Sequence, residues 1–186
     1  MKRLLFFSVL LFACVSAFSQ APGYYISTTR MGPFKLGNEP KDIEAIVGTK
    51  LNVKPVNPDF WDSDTCLVTF NNASYKLVFS PVTEETTVQN TNPVVKKKLF
   101  SVSSGNITYK TISGIGIGSS KAQILLAYDK FDISIWRDYF YRTSHKDKDR
   151  IQNITLSDTD TGSIVKFTTD NRVVTQIEVS YQEEGD

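Results

Sequence analysis

One histidine and two cysteines stand among 186 residues. Zinc sites are built mainly from several His and Cys ligands at close spacing, so this composition supplies no such site and no metal or other cofactor is expected. Charge of either sign is not in excess, with 21 Lys+Arg against 20 Asp+Glu. Nucleic-acid binders cluster Lys and Arg to displace counterions from phosphate, and nothing of that kind is present, so nucleic acid is excluded as a partner. Long apolar runs are also missing. The longest, Leu4 to Ala13, is about half of the ~20 residues a spanning helix needs. What is present is a 40% hydrophobic, 12% aromatic chain, too apolar to stay disordered and long enough for one core or two small ones.

The first residues differ from the rest. Lys2 and Arg3 form a positive start, Leu4 to Ala13 an apolar stretch, and Ala17-Phe18-Ser19 a small-x-small site for cleavage before Gln20. Residues 1–19 therefore read as a secretory signal peptide, and the mature protein as periplasmic or secreted. A second reading takes Leu11-Phe12-Ala13-Cys14 as a lipobox, which would lipidate Cys14 and make an outer-membrane lipoprotein. Cleavage removes Lys2 and Arg3, leaving 19 basic against 20 acidic residues, a formal charge of −1. Cys66 is then the sole thiol, so no internal disulfide can form and stability must come from packing. It sits in the alternating run Thr65-Cys66-Leu67-Val68-Thr69-Phe70, where a small buried hydrophobe is expected rather than a nucleophile.

Residues 25–48 lie without a gap on residues 106–129, with identities at Ile26/Ile107, Gly37/Gly118 and Ile43/Ile124 and apolar matches at Met31/Ile112, Phe34/Ile115 and Leu36/Ile117. In both, an apolar-Gly pair ends an extended stretch and a polar helix start follows. Ser120-Lys121-Ala122-Gln123 fits a capping box, with Ile124, Leu125, Ala127 and Tyr128 as the helix's apolar face. In the first copy Asn38 and Pro40 start the helix, Ile43, Ile46 and Val47 form its face, and Gly48 suits its C-terminal cap. After each helix comes a Trp-bearing linking segment, Phe60-Trp61-Asp62 or Ile135-Trp136-Arg137, and then strands: 65–71, 74–80 and 95–103 in one half, 151–157, 162–169 and 172–181 in the other. The first two strands form a hairpin about Asn71-Asn72-Ala73. Residues 81–94 read as a long polar loop, and Lys96-Lys97-Lys98 as an exposed start of a strand whose charges discourage edge pairing.

The expected fold class is therefore α+β, in two tandem repeats, each a short helix packed on an antiparallel β-meander. The expected organisation is 1–19 signal peptide, 20–104 first α+β repeat and 105–186 second α+β repeat. This order resembles the BamE (SmpA/OmlA) and beta-lactamase-inhibitor-protein type of fold, and Ile117-Gly118-Ser119-Ser120-Lys121-Ala122-Gln123-Ile124 is similar to that group's apolar-Gly-polar signature. The tandem arrangement is more like the inhibitor proteins. Asn38-Glu39-Pro40 and Tyr128-Asp129 depart from the pattern, and no functional residue is carried over. What the resemblance implies is capture of another protein.

Candidate catalytic groups fail on spacing. Gly114-Ile115-Gly116-Ile117-Gly118-Ser119-Ser120-Lys121 matches neither phosphate-loop template and reads as a strand-to-helix connection. His145 lies in an alternating charged run, where a solvated loop is expected rather than a catalytic imidazole. Asp158-Thr159-Asp160-Thr161-Gly162 starts like a calcium loop but lacks its later ligands, so a hairpin turn is expected. No carboxylate pair is nominated for hydrolysis.

Aromatics gather between helix and meander: Phe60, Trp61, Trp136, Tyr139, Phe140 and Tyr141. They either plug the core beneath connections or form a contact patch, since Trp, Tyr and Arg are the usual binding anchors. The candidate partner-binding residues are Trp61, Trp136, Arg137, Tyr139, Tyr141 and Arg142. The chain is accordingly read as an exported, non-enzymatic protein-binding module of inhibitor or immunity type. The alternatives are an envelope-assembly accessory protein, tethered if Cys14 is lipidated, and a small hydrolase.

Overall fold

The computed structural model describes residues 25–54, 63–84, 94–137 and 150–182. The signal peptide, Cys14, Trp61 and His145 lie outside them. In chain order the elements are β1 (Ile26–Ser27), β2 (Arg30–Met31), β3 (Phe34–Lys35), α1 (Pro40–Val47), β4 (Asp64–Phe70), β5 (Ala73–Glu84), β6 (Val94–Ser104), α2 (Lys121–Ala127), β7 (Ile133–Arg137), β8 (Ile151–Asp158), β9 (Ser163–Asp170) and β10 (Val173–Tyr181). β1 to β3 form a small sheet, and the remaining strands one seven-stranded antiparallel sheet in the order β4-β5-β6-β10-β9-β8-β7.

The α+β expectation of two repeats, each a helix on its own meander, is overturned: the described residues are mostly β, with two short helices and one continuous large sheet. Two separate meanders would each have left a strand edge unpaired, β6 in one and β10 in the other. Instead these edges join in the register Ile177↔Ser104, Glu178↔Ser103, Val179↔Val102 and Ser180↔Ser101, which satisfies their backbone groups. The helices are too short to act as layers. Each buries one side chain completely, Ile43 in α1 and Ile124 in α2, and helices of seven or eight residues depend on such packing because they are marginal alone.

Strand alternation sets the core. Tyr75, Leu77 and Phe79 of β5, Val102 of β6, Ile177 and Val179 of β10, Val165 and Phe167 of β9 and Ile154 of β8 are all buried in one cluster with Met31, Phe34, Ile43 and Ile124. Phe34 anchors one side, meeting Tyr75 edge-on with ring centroids 4.8 Å apart and Phe70 at 5.9 Å. Tyr128 serves the other, stacked 6.4 Å from Phe167 and donating its hydroxyl to Thr111 Oγ1 at 2.6 Å. Burial pushes the Tyr75 hydroxyl well above its usual pKa, with Tyr109 beside it adding to the effect.

The two Gly positions share a local geometry. Gly37 and Gly118 have φ of 83° and 84°, which only glycine adopts without strain. This turn lets Gly37 N–H donate to Leu99 O in β6, and Gly118 N–H to Val174 O in β10. Ser120 caps α2 as expected, its Oγ accepting from Gln123 N–H at 3.2 Å and its N–H donating to Gln123 Oε1 at 2.7 Å. In α1 the cap is Glu39, whose N–H donates to Asp42 Oδ2, while Asn38 accepts from Lys35 N–H in the preceding turn.

Several local expectations are corrected. Leu125 is 37% exposed and Ile112, aligned with buried Met31, is 96% exposed. The loop expected over 81–94 is shorter, because β5 runs to Glu84 and β6 starts at Val94. Lys96-Lys97-Lys98 is not an exposed strand start: Lys97 is buried and its neighbours are half-buried, while along these three residues β6 pairs with β5 alone, its join to β10 covering Ser101 to Ser104. Lys97 turns inward and pairs with Asp64, both side chains nearly buried, and Lys96 pairs with Glu39 at 3.3 Å. The tight turns are Asn71-Asn72, φ 48° and 61°, and Asn171-Arg172, φ 50° and 68°, the two-residue geometry whose twist matches flanking strands.

Truncating Ile43→Ala or Ile124→Ala should cost about 2–5 kcal/mol, whereas Leu126→Ala, at an 80% exposed position, should stay within about 0.5 kcal/mol; urea unfolding checks both. Acid sensitivity follows from carboxylates held below their ordinary pKa: Asp158 by the Thr28 hydroxyl, which donates to it at 2.8 Å, and Asp170 by Arg150. Their stabilisation is complete above the ordinary value of 3.8 and is lost as pH falls through the lower folded-state values. Thr28→Val should therefore move the acid-unfolding midpoint to higher pH, read by circular dichroism.

Candidate functional site

The face of the sheet opposite the core is polar along its strands. β8 presents Asn153, Thr155 and Ser157 there, β9 presents Ile164, Lys166 and Thr168, and β10 presents Glu178 and Ser180, the residues that alternate with the buried apolar row. Lys166 and Glu178 are direct cross-strand partners and form an ion pair at 2.8 Å, each about a quarter exposed. Thr155 and Ser180 are buried small hydroxyls on the same face.

Two aromatics break this pattern. Trp136, on β7, is 46% exposed, and its indole Nε1–H donates to Thr155 Oγ1 at 3.3 Å on β8. Phe100 is the extra residue of a bulge in β6, where the register jumps from Val78↔Ser101 to Phe79↔Leu99. A bulge re-aims a side chain, and here the Phe100 ring leaves the core row to meet Tyr181, centroids 6.1 Å apart. Between the two aromatics lies a groove of about 620 Å³, lined by Phe100, Ser134, Trp136, Ile164, Lys166 and Glu178 among others. It spans the β6–β10 join, drawing residues from both halves of the chain.

Of the candidate partner-binding residues, Trp136 therefore lines a groove on an ordered strand. Arg137 closes β7 and pairs in register with Gln152. Trp61, Tyr139, Tyr141 and Arg142 lie outside the described residues. The Ile135-Trp136-Arg137 stretch is a strand rather than a link, and the alternation Ile133-Ser134-Ile135-Trp136 carries that signal. Phe100 was not singled out from the sequence, since nothing in Lys98-Leu99-Phe100-Ser101 marks a bulge.

The chemistry available elsewhere is limited. Cys66 is buried, its thiol donating to Asn52 O at 3.6 Å. Burial first, then the Asp64 charge, raises its pKa above 9.0, the opposite of what a thiolate nucleophile requires. Asp158 to Gly162 forms the β8–β9 turn, with Asp158 Oδ1 accepting from the Asp160 and Thr161 N–H groups. Among the described residues no cluster of three or more His, Cys, Asp or Glu could hold a metal, and no helix is long and apolar enough to cross a membrane. No family model, curated protein or solved structure matches the chain.

A thiol reagent added to the native protein at neutral pH should react with Cys66 only as fast as the chain opens. The expected outcome is a rate that rises sharply through the urea transition. Prompt reaction in native buffer would contradict the burial.

Proposed function

We propose that this chain is an exported, non-enzymatic protein-binding module, an inhibitor or immunity-type protein that captures and neutralises another protein, and that it binds through the groove beside Trp136. The observation that carries the reading is the state of Trp136: a large ring left 46% exposed on a largely polar sheet face, yet held in place by a hydrogen bond to Thr155. Half-exposed, pre-positioned Trp is the residue type that dominates binding energy at protein interfaces. Holding it before the partner arrives lowers the ordering cost of association. The Lys166–Glu178 pair on the same face supplies charges of both signs, which fix register and partner choice more than raw affinity.

The leader-like start supports export, and the likeness of Ile117-Gly118-Ser119-Ser120 to the inhibitor group's signature supports capture, although the tandem α+β order no longer does. A lipobox reading of Leu11-Phe12-Ala13-Cys14 favours the second reading, a tethered accessory of envelope assembly. The hydrolase reading loses support, because its most obvious nucleophile, Cys66, is buried with a raised pKa.

Affinity capture from the native envelope, followed by titration of the captured protein, tests the proposal. Trp136→Ala should weaken capture by roughly thirtyfold or more, a loss of about 2 kcal/mol, while Leu126→Ala leaves it unchanged. Full capture by Trp136→Ala, or a purified chain that takes no protein and retains a small molecule, would overturn it. Mass spectrometry of the mature N-terminus decides for the accessory reading if Cys14 is diacylated.

A further inference from the structure

The large sheet ends on one side at β4, and among the described residues no strand pairs with its outer edge. β4 and β5 are joined by the two-residue turn Asn71-Asn72, so the closing pair Phe70↔Ala73 is a hydrogen-bonded one, and such pairs alternate along the ladder. Ser74 confirms the phase: its N–H donates to Asn106 Oδ1 and its carbonyl accepts from Ser104 Oγ, both on the side away from β4. Phe70, Val68, Cys66 and Asp64 therefore spend their backbone groups on β5. Thr65, Leu67 and Thr69 point theirs outward, and all three residues are exposed, Leu67 by 81%. From Thr65 to Phe70 there is no charge or proline, two of the features by which proteins guard an edge.

We propose that this edge pairs with the same edge of a second copy of the chain. The argument for a second copy is the symmetry of the outward-bonding positions about Leu67, Thr65-x-Leu67-x-Thr69, with the buried Cys66 and Val68 between them. A two-fold antiparallel pairing centred on Leu67 sets Leu67 opposite Leu67 of the second copy and Thr65 opposite Thr69, and these are the residues with outward N–H and C=O groups. About six ladder hydrogen bonds form, with Thr–Thr and Leu–Leu cross-strand neighbours. The Asp64 of each chain falls opposite Phe70, so no like charges meet. The other edge lacks this property: Ile133-Ser134-Ile135-Trp136-Arg137 centred on Ile135 would set Arg137 against Ile133. The interface is a single strand pair, so the dimer is weak and reversible, and it leaves the Trp136 groove, at the far end of the sheet order, open.

Sedimentation velocity of the purified chain over a range of concentrations, with amide exchange followed by NMR in the same samples, tests the pairing. The sedimentation coefficient should shift from monomer to dimer as concentration rises, and protection of the Thr65, Leu67 and Thr69 amides should rise in step. Leu67→Lys places like charges opposite each other and should weaken the dimer by roughly tenfold or more. Because the side chain lies in solvent, the circular dichroism spectrum and Tm should be unchanged. Leu67→Glu, which also sets like charges opposite each other, replaces it if Leu67→Lys does not fold. A chain that stays monomeric throughout, a dimer that the lysine variant leaves intact, or a dimer in which these amides remain unprotected overturns the proposal.

Discussion

The pairing of β6 with β10 is the contact on which the rest of the structure depends. Without it the chain would hold two narrow sheets, each with an open edge and neither with more than one fully buried helical side chain, Ile43 or Ile124. With it, Val102 and Val179 become neighbours at the centre of one apolar surface, and the Phe34–Tyr75 and Tyr128–Phe167 clusters belong to the same core. Hydrophobic burial grows with the continuous area removed from water, so a shared sheet stabilises both halves more than two small ones could.

The same join sets where function can lie. Phe100 comes from β6, Ser180 and Glu178 from β10, Lys166 from β9 and Trp136 from β7, so the groove exists only because the two sets of strands are continuous. The β6 bulge turns Phe100 out of the core row at the point where the join begins. Thr155 fixes Trp136 from the neighbouring strand. A rigid sheet thus presents two aromatics and one charge pair at set distances, which suits recognition of a shaped surface.

Much of the secondary structure was legible from local chemistry. Ser120 with Gln123, and Gly48 at the end of α1, mark helix ends because the bonds they make are short-range. Asn71-Asn72 marks a hairpin because Asn tolerates positive φ. What could not be read was decided across long separations. Nothing near Ser101 or Ser180 announces that they will be partners, and Lys97 looks like a solvated lysine until Asp64 is placed beside it. The α+β assignment fails for that reason: the strands of each meander carry local signals, whereas the pairing of their free edges carries none. Trp136 was found by residue type, whereas Phe100 depends on a one-residue register shift that no local signal carries.

The most direct test of this account is native-state hydrogen exchange across the join. If β6 and β10 are adjacent strands of one sheet, the backbone amides of the two strands that bond across it should exchange only with global unfolding, at one common free energy shared with the central amides of β5 and β9. Exchange of the β6 amides at one opening free energy and of the β10 amides at another, with each set following its own half of the chain, would contradict a single sheet, and with it the groove that spans the join.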